Sequence, residues 1–267
     1  MARYYFLTTM LPELSLDVPP RITFEELIPL YLQNLTAADF EQFQLLRRWI
    51  DIQNLQLFWQ GRADYGQALE DQALDPRGIW LKKALEAHLL TGENLPESVV
   101  DYLAQYEEDP QRLAHIAELL TAYLDAEIRQ CDGFLHDYLA FERAWRLVTV
   151  ALRAKRLGRD LAKELGVADP EEPLVAWLLS FRDAPTIEAP PGYQELFDIL
   201  ERTAQDPMGM RRALTQYRMS WAVERIQDQP FTLDYLLGYA VQLLLVEQWN
   251  ELDSAAGEAI VEAMVAI

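Results

Sequence analysis

The chain has 267 residues, 51% of them hydrophobic, which is enough apolar material for a sizeable core and excludes a disordered tail. Its 43 acidic and 23 basic residues give a net charge of −20, which opposes nucleic acid, where basic residues must displace phosphate counterions, and opposes adhesion to anionic lipid. A single cysteine, Cys131, excludes an internal disulfide framework.

The opening MARYYFLTTMLPEL has one arginine and a short apolar run broken by Pro12 and Glu13, too short for a secretory leader. No window approaches the roughly 20 apolar residues of a membrane span. The richest run, Leu236 to Val246, is interrupted by Gln242 and followed by Glu247. The expectation is a cytoplasmic protein with no direct membrane insertion.

Residues 3–10, RYYFLTTM, read either as a short strand or as a buried first helical turn. Thr23 followed by Glu26 is a capping box that opens a helix to about Leu32, bent at Pro29. The next helix starts at Thr36, places Phe40, Phe43, Leu46 and Ile50 on one face, and meets a stop at Gly61. Residues 62–78 read as a connector. A helix follows over Ile79–Leu90, and another opens with Pro96 at its first position.

The strongest periodic signal comes next. Asp109 and Pro110 open a helix with Leu113, Ala117, Leu120, Leu124 and Ile128 on one stripe. After Asp132-Gly133, residues Phe134, Tyr138, Phe141, Trp145, Val148 and Leu152 recur at steps of four and three, and Gly158 ends the run. This spacing predicts a long antiparallel helical hairpin in which Phe141, Trp145, Val148 and Leu152 are buried against Leu113, Leu120 or Leu124. Residues 168–192 hold five of the 14 prolines and read as a linker or hinge, with a helical turn at Val175, Trp177 and Leu178. Helices resume at 193–202 and 207–227. Thr232 caps a helix over 233–250, and a last helix spans about 254–266. The fold class expected is all-α: a multi-helix array with an N-terminal and central lobe over 1–167, a hinge at 168–192 and a C-terminal lobe over 193–267, a division that also allows the two lobes to pack as one domain.

Usable chemistry is scarce. His88, His115 and His136 are scattered, and no Glu-x-x-His pair of the di-iron kind occurs. The glycines form neither GxGxxG nor GxxxxGK[ST], and there is no GxSxG elbow. Acidic clusters at 107–109 and 169–172 sit at helix ends or in linkers, where carboxylates suit a helix N-terminus. Cys131 reads as a half-buried thiol with nothing nearby to activate it. No cofactor, metal or catalytic residue is expected. One anomaly remains: Arg143, Arg146, Arg153, Lys155, Arg156, Arg159 and Lys163 pack into 21 positions with Asp160 the one acid among them. The bland reading is helix-end electrostatics and pairing with acidic neighbours. The sharper one makes Arg146, Arg153, Lys155, Arg156, Arg159 and Lys163 a docking patch for an acidic partner.

Three stretches carry a resemblance: RYYFLTTMLPEL at the start, FLHDYLAFERAWRLVTVALRAKRLGRD over 134–160, and FTLDYLLGYAVQLLLVEQWNELDSAAGEAI over 231–260. Together they resemble a family of unknown function encoded inside bacterial V-type ATPase operons, at the operon position of the C/d-type funnel of the central stalk. That resemblance implies an all-helical, non-enzymatic rotor adaptor of a V/A-type ATP synthase or ion-transport ATPase. Its partners would be the membrane rotor ring and the foot of the axle, it would lie peripheral to the membrane through them, and it would require no homo-oligomer. Arg153-Ala154-Lys155 matches the Arg-x-Lys helix end of the broader C/d-type group, while 146–149 lacks the asparagine that precedes it there. Two other readings stand beside this one: an assembly or regulatory factor of the same ATPase, and a helical enzyme built from scattered carboxylates and arginines.

Overall fold

The computed structural model describes residues 4–65 and 74–251. Helix takes 69% of them, against roughly a third in an average globular domain, and the one β pairing among them is an isolated bridge between Ser15 and Val18. The fold is all-α. The described residues form two compact units, one of 4–40 with 201–251 and the other of 41–65 with 74–200.

The first unit is built around its last helix. The described part of the 3–10 segment, residues 4–10, takes the helical alternative: α1 is Tyr5–Met10, with Leu7 buried and Phe6 exposed. A lone strand would leave its backbone groups unpaired, whereas here Thr8 N–H returns to the Tyr4 carbonyl and the Thr9 hydroxyl to that of Tyr5. In α2 (Phe24–Asn34) the predicted capping box is complete: Thr23 Oγ1 accepts from Glu26 N–H at 3.2 Å, and Glu26 Oε2 accepts from Thr23 N–H at 2.8 Å. The start of α3 (Ala37–Tyr65) also belongs to this unit.

In the second unit α3 continues through Gly61, the predicted stop. Gly61 is buried, and the packed Phe58 and Trp59 just before it hold the helix together at a position where glycine costs about 1 kcal/mol. The predicted connector 62–78 therefore begins as helix, and its residues 66–73 lie outside the described ones. Three short helices follow: α4 (Lys82–Thr91), α5 (Glu97–Gln105) and α6 (Asp109–Ala114). The N-cap of α6 is Glu108, one residue earlier than expected. The long helix expected from Asp109 breaks at His115 and resumes as α7 (Ile116–Ile128). The Arg112 carbonyl accepts from the Tyr102 hydroxyl, which competes with continuing the helix across this point. The break turns the stripe: α7 buries Leu119, Tyr123 and Leu124, Leu113 and Leu120 are half-buried, and Ala117 is exposed.

Next comes α8 (Gly133–Arg156), which packs on α7. Phe134, Tyr138, Phe141, Val148 and Leu152 are buried as predicted, but so are Leu135, Leu139, Leu147 and Ala151, while Trp145 is half-buried. The apolar surface is thus a broad stripe, wider than a two-position seam. Gly158 ends α8 as predicted, at φ +63°. Arg159 N–H reaches the Ala154 carbonyl at 2.8 Å and Gly158 N–H that of Lys155 at 3.1 Å, the paired bonds of a Schellman turn. The unit then adds α9 (Leu161–Glu164), α10 (Pro173–Ser180) and most of α11 (Gln194–Arg202). The proline-rich 168–192 segment lies inside this unit, and α10 within it packs on α8 through buried Val175 and Leu178.

The chain returns to the first unit with α12 (Pro207–Ile226) and α13 (Leu233–Asn250). Every residue of α13 from Leu236 to Val246 is buried. It packs on α12 and α2, and accepts a hydrogen bond from the Tyr31 hydroxyl at the Leu236 carbonyl (2.8 Å). Glu247 accepts from the Phe24 N–H at the start of α2 (2.7 Å). Thr232 caps α13 by accepting from Tyr235 N–H at 3.2 Å. Thr232→Ala is expected to cost about 1 kcal/mol in a denaturant titration, the usual loss for an N-cap hydroxyl. The helix predicted over 254–266 lies outside the described residues.

Candidate functional site

The seven-cation run falls on the last half of α8 and on α9, and the structure divides it into three groups. The two earliest residues are internal. Arg143, 10% exposed, pairs with Asp125 of α7 at 2.5 Å and with Glu172 at 2.6 Å, at the N-cap of α10. Arg146 lies over the rings of Trp49 (5.0 Å) and Trp145 (5.1 Å) and pairs with the fully buried Glu142 at 3.3 Å. Stacking of a guanidinium on indole faces is a fold-forming contact.

The second group ties backbone. Lys155 Nζ donates to the carbonyls of Arg182 and Ala184, both at 2.7 Å, and so holds the proline-rich segment against α8. Arg156 donates to the Leu200 carbonyl in the last turn of α11 at 2.7 Å, where a cation offsets the negative helix end.

The third group faces solvent. Arg153 and Lys163 are exposed, and neither makes an ion pair among the described residues. Arg159 is 57% exposed and reaches Glu164 at 3.4 Å, a weak surface pair. Asp160 is occupied as the N-cap of α9, accepting from the amides of Ala162 and Lys163. Beside these cations Leu157 stands 54% exposed. The six predicted docking residues therefore run from the middle of α8 through its C-terminal turn to α9, and three of them have internal work while three are open.

Sequence reasoning missed a second constellation. Arg47, Asp51 and Asn54 follow one another at i, i+4 and i+7 on α3, and all are buried. They bind the backbone of 75–80. Arg47 donates to the Arg77 carbonyl at 2.9 Å and the Gly78 carbonyl at 2.5 Å. Asp51 accepts from the amides of Ile79 (2.9 Å) and Trp80 (3.0 Å). Asn54 exchanges two hydrogen bonds with the backbone of Asp75. Burial pushes the Asp51 carboxyl up to about 6, although the two amides and Arg47 pull the other way. Polar residues at helical spacing carry no mark of burial in the sequence; the glycine at 78 was the available signal. A Cβ there would stand 2.1 Å from Asp51 Oδ1.

The remaining reactive groups are held quietly. Burial, with Glu127 and Asp132 nearby, pushes the Cys131 thiol up to about 11, the direction opposite to activation. Cys131 is in fact fully buried rather than half-buried. His88 packs on Trp80, His115 stacks on Tyr106 and meets Glu118 at 2.9 Å, and His136 meets Asp137 at 3.1 Å. Among the described residues no group of three His, Cys, Asp or Glu could hold a metal, and no helix is long and apolar enough to cross a membrane. An open groove of about 480 Å³ is lined by Asp125, Arg129, Arg143, Asp169, Glu171 and Glu172; it is shallow, and Arg143 on its wall is already paired.

Residues 1–266 match the family described as "Protein of unknown function (DUF2764)". An uncharacterized protein of Chlamydia muridarum is 25% identical over 268 residues, covering 99% of this chain and 98% of its own length. One of Chlamydia trachomatis is 24% identical with the same coverage, and one of Chlamydia pneumoniae is 26% identical over 82% of this chain and 80% of its own. No solved structure matches the chain. With the match running from end to end of the all-helical fold, the chain belongs to the DUF2764 family.

Proposed function

We propose that this chain is a non-catalytic component of a V/A-type rotary ATPase, a central-stalk adaptor that couples the soluble axle to the membrane rotor. The observation that carries the reading is the segment 134–160. It forms a long helix, α8, that is buried along much of its length and ends in exposed cations. A helix gripped by its neighbours and open at one end suits a part that passes force from its core to a partner. The role asks for stiff packing and charged contact surfaces and for no cofactor. The buried, unactivated thiol and the paired histidines support a contact function over an enzymatic one.

Purification of the rotary ATPase from the organism that encodes this chain tests the reading. The chain is expected to co-elute with the central-stalk components at fixed stoichiometry through gel filtration. Its presence only in partly assembled complexes would make it an assembly factor instead. Its absence from every ATPase fraction would sink both roles.

A further inference from the structure

We infer that Arg153, Leu157, Arg159 and Lys163 form a docking tip for an acidic segment of a partner protein, and that the other cations of the run take no part in binding. The proposal rests on the reading that the chain works by protein contact and narrows where that contact is made.

Geometry places the four residues together. Leu157 N–H bonds to the Arg153 carbonyl at 3.0 Å, so one helical turn separates them and they share a side of α8. The Schellman turn then reverses the chain at Gly158, and a Cβ added to Gly158 would meet nothing within 4 Å, so the turn projects into open space. Asp160 starts α9 at once and sets Lys163 one turn beyond the reversal. The result is an exposed leucine among three solvent-facing cations. An apolar anchor inside a charged rim is the usual anatomy of a specific contact, with the anchor supplying affinity and the rim supplying steering and register.

Charge selects the occupant. A second copy of this chain also carries −20, so copies repel at long range. Nucleic acid is repelled for the same reason. An anionic bilayer gains roughly fivefold in binding per nearby cation, which leaves three cations too few against a chain of this net charge. A local carboxylate cluster on a protein can meet the tip alone, with the acidic remainder held a Debye length or more away, about 8–10 Å.

The test uses the full chain in its own cell, with a photo-crosslinking amino acid at position 157 and, as a control, at exposed Trp177. The expected result is one protein crosslinked at 157 but not at 177, through a peptide of net negative charge. Arg153→Glu with Lys163→Glu should lower that crosslink by about tenfold or more. Adding Arg159→Glu should lower it further. Lys155→Ala with Arg156→Ala should leave the crosslink within about twofold while lowering thermal stability. Crosslinks only to lipid or to another copy of the chain, crosslinks that survive the reversals, or none at all would overturn the tip. An acidic partner that is no part of the ATPase would retain the tip and sink the ATPase reading. Co-purification with the ATPase without a crosslink at 157 would do the reverse.

Discussion

Asp51→Ala is expected to lower the stability of the chain by about 3–5 kcal/mol at neutral pH, the range for removing one member of a buried polar group whose partners stay behind. Asp51 is 1% exposed and is the acceptor for the amides of Ile79 and Trp80. Alanine leaves both donors buried without a partner, at about 1–3 kcal/mol each. It also withdraws the negative charge that favours the ionised guanidinium of Arg47, which burial already disfavours. Chemical denaturation measures the loss; a change under about 1 kcal/mol would mean that water replaces the carboxylate at little cost.

The same residue gives the chain a pH signature with a definite sign. Its pKa in the fold is about 6, against an ordinary 3.8, because burial opposes the charged form. Between those values the folded state holds a proton that the unfolded state has released, so stability falls as pH rises through the window. About two units correspond to roughly 2–3 kcal/mol. Asp51→Asn keeps an acceptor of the same shape and removes the titration. The stability curve of the wild type minus that of the Asp51→Asn variant should therefore decline from about pH 4 to about pH 6 and be flat beyond. A flat difference throughout would show that the carboxyl titrates normally. Glu127 is shifted in the same direction by burial, and it cancels in the difference.

What the sequence made legible was local chemistry at helix ends. Thr23 with Glu26, Thr232, and Gly158 each act through bonds to backbone a few residues away, so their meaning does not depend on the tertiary fold. What it hid depended on covering. Arg47, Asp51 and Asn54 have the spacing of a solvated helix face and are buried because 75–80 lies over them. The cation run was ambiguous for the same reason: its spacing allowed either a docking patch of six residues or pairing with acidic neighbours, and in the fold Arg143 and Arg146 turn inward to Asp125, Glu172 and Glu142, while Lys155 and Arg156 bind carbonyls from 27 to 44 residues away. Which cations remain free is set by what those distant segments present, and periodicity holds no record of that. The break at His115 has the same origin, since the competing donor, Tyr102, sits on another helix.

Trp49→Ala is expected to cost about 3–5 kcal/mol, and Trp145→Ala about 1–2 kcal/mol, the reverse of the order that the heptad spacing suggests. Spacing put Trp145 on the seam and left Trp49 off the apolar face of its helix. In the fold Trp49 is 1% exposed and its ring stacks nearly parallel to that of Tyr123 at 5.9 Å, while Arg146 covers it from α8 at 5.0 Å. Removing the indole opens a large cavity where α3 meets α7 and uncovers a guanidinium packed on its face. Trp145 shares the same arginine at 5.1 Å but is half-buried, so water can occupy the space it leaves. The double variant should cost less than the sum of the two single ones, because both indoles contact Arg146 and the second loss finds that contact already disturbed. Equal costs for the two single variants, or a larger one for Trp145, would place the buried junction on the α8 seam and away from α3.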